Sequence, residues 1–101
     1  MATRDDRRSE ADKAATVGFV VATDSFMSGW GHAPGKSYFA VPFRSYEESR
    51  IVEDNMNART EMKRVRVVGK DYRPRLRAGD HFSIRAIDDC SRFYTAGGFS
   101  R

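Results

Sequence analysis

Guanidinium and ammonium groups are the chemistry this chain offers most densely. Arg59, Lys63, Arg64, Arg66, Lys70, Arg73, Arg75 and Arg77 stand in one stretch, offset only by Glu61 and Asp71. That stretch carries +6 in a chain whose net charge is +4, so the remainder sums to −2. Arginine forks onto phosphate or carboxylate oxygens, lysine adds a mobile point charge, and Tyr72 in their midst is a ring on which a base can stack. A local field of one sign attracts anions where a diffuse surplus mainly aids solubility. The expected partner is therefore a nucleic acid or an acidic protein surface, with nucleic acid favoured. Pro74 holds its neighbours extended and presents Arg73 and Arg75 at little ordering cost. Against this stands the bland alternative that such a strand is the solvated side of a sheet.

Other chemistries are poorly supplied. His32 and His81 are the only histidines and Cys90 the only thiol, in none of the compact ligand spacings of a structural metal site, and no intrachain disulfide can form. Gly35-Lys36-Ser37 invites comparison with a phosphate-binding loop, but the glycine needed five residues earlier is replaced by Trp30, and Ser37 opens an alternating apolar run instead of a helix. Glu47, Glu48, Glu53 and Asp54 lie along a predicted helix, where adjacent carboxylates point about 100° apart and cannot flank a substrate. Were the chain an enzyme, His81, Asp80 and Cys90 would be its candidate residues if the fold brings them together. No catalytic residue, metal or cofactor is expected. Trp30, Tyr38 and Tyr46 are candidate anchors for a protein partner.

The basic stretch must be positioned by the elements around it. Ser45 followed by Glu48 has the spacing of a capping box and predicts a helix start. Ile51, Val52, Asn55, Met56 and Arg59 then share one side of a helical wheel, a narrow buried stripe. From Lys63 to Val68 the period shortens to two, predicting a strand with Val65 and Val67 inward and Arg64 and Arg66 outward. Upstream, Thr16 to Thr23 predicts a strand with Val17, Phe19 and Val21 on one face and Gly18, Val20 and Ala22 on the other, apolar on both and hence central, or an edge covered by another element. Ser37 to Phe43 predicts another, with Phe39, Val41 and Phe43 on the core side, Tyr38 and Ala40 opposite, and Pro42 marking an edge or an end. His81 to Ile87 alternates again.

The resulting class is α+β: a small antiparallel or mixed β-sheet packed against one main α-helix, in the order β-β-α-β-β, with a short fifth strand or an irregular return at Cys90 to Thr95. At 101 residues the chain has room for one core, assigned to residues 14–95. Residues 1–13, rich in charge and poor in apolar side chains, are expected to be a solvated tail in preference to a short helical turn capped by Ser9 with Asp12 three residues on, and residues 96–101 a Gly-rich mobile tail that Phe99 alone could pin. No run is long enough to span a bilayer, no signal segment is visible, and a single cysteine suits a reducing cytoplasm, so a cytoplasmic location without membrane contact is expected. The strand at Ser37 to Phe43 is a candidate edge for homodimer pairing. In size and outline the chain resembles the small inhibitors that phages and other mobile elements direct against host defence, including anti-CRISPR proteins. No motif carries that resemblance and no residue role follows from it; it implies a host protein complex as a second candidate partner.

Overall fold

Ser45 caps the main helix as its spacing predicts: its Oγ accepts from the Glu48 amide at 3.2 Å. Glu48 reaches back one residue further than a simple capping box, accepting from the Arg44 amide at 2.8 Å and from the Arg44 guanidinium. Burial pushes the Glu48 carboxyl up, but these hydrogen bonds and the Arg44 charge outweigh it and hold the group below its ordinary range.

The protein is known as a computed structural model that describes residues 4–6, 8–24, 37–59 and 62–99. Its elements in chain order are β1 (Arg4–Asp6), α1 (Glu10–Ala15), β2 (Gly18–Asp24), β3 (Ser37–Phe43), α2 (Tyr46–Asn57), β4 (Met62–Gly69) and β5 (His81–Ile84), followed by a 3-10 turn at Ile87–Cys90. The strands form one mixed sheet in the order β1-β5-β3-β2-β4. The α+β class, one main helix on a small mixed sheet, is thus as predicted. β2 is antiparallel to both β3 and β4, whereas β5 is parallel to both β3 and β1.

Alternation places the side chains of β2 and β3 as the sequence predicts. Val20, Ala22, Val41 and Phe43 join Val52 and Met56 of α2 in one buried cluster, together with Met62, Cys90 and Phe93. Phe19, Val21, Ala40, Phe82 and Ile84 form a second cluster on the opposite face. Gly18 is required where it stands: a Cβ there would come within 2.4 Å of the Val68 carbonyl oxygen. Pro42 lies near the end of a strand with neighbours on both sides, not at an edge. Ala40 accepts from the Arg85 amide at 3.0 Å, so Pro42, two residues on, points to the same side but beyond the end of β5. Its carbonyl there accepts the Tyr94 hydroxyl.

Three expectations are corrected. The first residues are not simply a tail: β1 pairs with β5, and Ser9 caps α1 by accepting from the Asp12 amide at 3.2 Å. Asp12 accepts in turn from the Ile87 amide at 3.0 Å. No residue of α1 is buried, so polar groups and backbone pairing hold this segment where apolar periodicity gave no sign of it. The fifth strand is accordingly β1, while residues 91–99 are an irregular return. That return, expected to be partly tail, is fastened by the buried Asn55, whose Nδ2 donates to the Phe93 and Thr95 carbonyls at 2.7 and 2.9 Å and whose Oδ1 accepts from the Phe99 amide at 3.3 Å.

The third correction concerns β4. Lys63 stands opposite Thr23 and Arg66 opposite Val21, so two residues, Arg64 and Val65, fill the interval that Ala22 alone spans. This is a β-bulge, and Arg64 takes the left-handed backbone it needs, with φ 59°. The extra residue resets alternation: Lys63 and Arg66 share the face of Val21. Val65 packs against the helix-side cluster, but Val67 is 47% exposed because β4 is the outermost strand.

Candidate functional site

The strand order dictates where the basic stretch runs. From β4 to β5 the chain must pass β2 and β3, about 14 Å at ordinary strand spacing. α2 occupies one face, and residues 70–80 cross the other, with Val68, Tyr72 and Leu76 packed against the Phe19, Val21, Ala40, Phe82, Ile84 cluster. Turns bound the crossing: the Tyr72 amide donates to Gly69 and the Asp80 amide to Arg77. Asp80 is buried and returns the contact, its Oδ2 accepting from the Arg77 amide at 2.9 Å.

Between those turns exposure alternates. Tyr72, Pro74 and Leu76 are half-buried against the sheet, while Arg73, Arg75 and Arg77 are exposed. Without ladder hydrogen bonds of its own, the crossing still has the side-chain period of a strand, and the result is a crest bearing an arginine at every second position. Lys70 and Asp71 are exposed at its start. Arg75, Arg77, Lys63, Arg64 and Lys70 form no ion pair with any described residue.

Two guanidiniums brace the crest, one from β4 and one, Arg73, from the crest itself. Arg66 is half-buried, not projecting freely from the strand; its Nη2 donates to the Tyr72 hydroxyl at 2.8 Å, its Nη1 donates to the Arg64 carbonyl at 2.8 Å, and its charge lies 5.6 Å from the Tyr72 ring centre. Arg73 folds back over the loop, donating to the Tyr72 carbonyl at 2.6 Å and lying 6.0 Å from the Phe82 ring centre. The Tyr72 ring meets Phe82 edge-on at 6.3 Å. Sequence reading missed Arg8, which stands 4.9 Å over Phe19 on this same face. Only its position in a charged run marked it, and that run gave no sign of packing.

Arg59, grouped with the array by sequence, lies elsewhere. It sits 4.8 Å over Phe99, whose other guanidinium neighbour, Arg92, is 4.3 Å from the ring centre. Phe99 belongs to the helix side, so Arg59 and Arg73 serve opposite faces. Among the candidate anchors, Tyr38 is half-buried in the loop-side cluster, and Tyr46 is 72% exposed at the start of α2, its hydroxyl accepting from Arg50 at 3.2 Å. Trp30 lies outside the described residues, as do His32 and Lys36.

No protein-family model matches the chain, and comparison with curated proteins and with solved structures found no match. Function must be read from the site itself. Among the described residues no group of three or more His, Cys, Asp and Glu side chains is gathered closely enough to hold a metal ion. Cys90 is buried on the helix side, and burial pushes its thiol up to about 12, the opposite of what activates a nucleophile. Asp80 is committed to the Arg77 turn, leaving His81 exposed on β5 with no described acid–base partner. No described helix is long and apolar enough to cross a membrane.

Proposed function

We propose that the chain is a non-enzymatic binding module that takes nucleic acid along the Lys70–Arg77 crest. The observation that carries this reading is the alternation of the crossing: its apolar residues are used against the sheet, which turns Arg75 and Arg77 outward while Arg73 folds back at the start of the line. A bidentate guanidinium matches phosphate geometry, and several in a row make affinity without reading sequence. Lys63, Arg64 and Arg66 at the adjoining edge of β4 add to the same field.

Binding of this kind is mainly counterion release, so it weakens steeply with salt and varies little among sequences. Fluorescence anisotropy with short single- and double-stranded oligonucleotides, repeated over a salt series, tests it. Four phosphate contacts give a log–log slope of roughly −3 to −4, and the double substitution Arg75→Ala/Arg77→Ala shallows that slope by about 1.5 with the thermal midpoint unchanged. Absence of binding to both forms at low salt removes the reading and leaves an acidic protein surface as the partner to seek.

A further inference from the structure

We infer that the form of nucleic acid taken is a single strand lying lengthwise on the crest, with one nucleotide for each outward arginine. This rests on the nucleic-acid reading above and narrows it. In extended polypeptide, alternate residues are about 6.6 Å apart. Two residues span the same number of backbone bonds as one nucleotide, so an extended strand repeats its phosphates on the scale at which the exposed Arg75 and Arg77 repeat.

A duplex fits poorly for a reason of shape. Reading or gripping it through a groove takes a projecting helix or a two-stranded ribbon. The crest itself is neither: it is a single segment lying flat on a sheet, and α2 is on the reverse side. A single strand needs only a line of charge and neighbouring rings. Tyr38 and Tyr72, both half-buried, flank the sealed Phe82 on this face, so two partly open rings adjoin the start of the charged line. Base-on-ring stacking is tolerant of sequence and completes the contact.

The spacing is testable without changing the charge. In Arg77→Ala/Ala78→Arg an exposed arginine moves one place, both positions being exposed, so the interval from Arg75 grows from two residues to three. Anisotropy is measured with a mixed-sequence single strand and with its duplex at equal salt, alongside the thermal midpoint of each protein. The wild-type chain is expected to prefer the single strand on the order of tenfold. The shifted variant is expected to lose most of that preference while keeping its midpoint and its duplex affinity. A duplex bound as tightly as the single strand, or a shifted variant indistinguishable from wild type, overturns the lengthwise single-strand inference and leaves nucleic-acid binding standing. Binding of neither form overturns both.

Discussion

Both faces of this sheet are apolar but are covered in different ways, and the difference decides which arginines are left facing outward. On the helix side α2 brings its own backbone hydrogen bonds, and the return at residues 91–99 is locked on by Asn55. Guanidiniums there close over rings: Arg44 on Tyr94, Arg85 on Phe39, and both Arg59 and Arg92 on Phe99. On the other side the cover is a single extended crossing, which can bury only every second side chain. Arg8, Arg66 and Arg73 close over rings on this side too, but Arg75 and Arg77 face outward because the backbone period turns them from the sheet. Counting arginines in the sequence cannot separate these uses; what each one stands on can.

The sharpest way to break the contrast is to release the helix-side lock. Asn55→Asp keeps the shape of the side chain but removes the amide donor and sets a carboxylate against the Phe93 and Thr95 carbonyls. A stability loss of about 3–4 kcal/mol is expected in urea denaturation, since a buried donor is lost and a buried charge gained. Amide exchange should accelerate across residues 92–99 well before it does at residues 72–76. Equal acceleration on both sides would mean that the two covers are not independent.

Much of this arrangement is legible in the sequence wherever the determinants are local. The Ser45 cap and the faces of β2 and β3 follow from spacing alone. The bulge at Arg64 is not legible, because glycine is the usual sign of a left-handed residue and the chain has arginine there. The face crossed by residues 70–80 is equally hidden, since it follows from a strand order set by long-range pairing. Arg59 finds Phe99 through the fold and not through any nearby sequence signal. The basic cluster is therefore visible as composition, while its division between a packed group and an outward crest is not.

A smaller effect on the helix side follows from pH. The Cys90 thiol, held by burial at about 12 in the folded chain, has an ordinary value of 9.0 when exposed. Burial raises Tyr94 in the same direction. Between about pH 9 and pH 12 the unfolded chain gives up a thiol proton that the folded chain retains. The folded state then binds more protons, so stability present below pH 9 is lost progressively above it. Urea midpoints across that range should fall, and Cys90→Ala should flatten part of the decline, leaving the Tyr94 contribution. A midpoint independent of pH up to 11 would place the thiol in contact with water and contradict a sealed helix side.

The smallest expected effect lies at the junction where β4 hands the chain to the crest. Arg64 holds φ at 59°, a conformation that costs a residue with a Cβ roughly 1–2 kcal/mol. Glycine adopts it freely but loses more backbone entropy on folding, on the order of 0.5–1 kcal/mol. Arg64→Gly should therefore raise stability by about 0.5 kcal/mol, and the Arg64 carbonyl that accepts from Arg66 is retained. Arg64→Ala removes the same charge without relieving the backbone and should not stabilise. Equal stabilisation by both would assign the cost to repulsion among Lys63, Arg64 and Arg66 instead of to the bulge, and would show that cations at this edge strain the fold through their field even where the backbone is at ease.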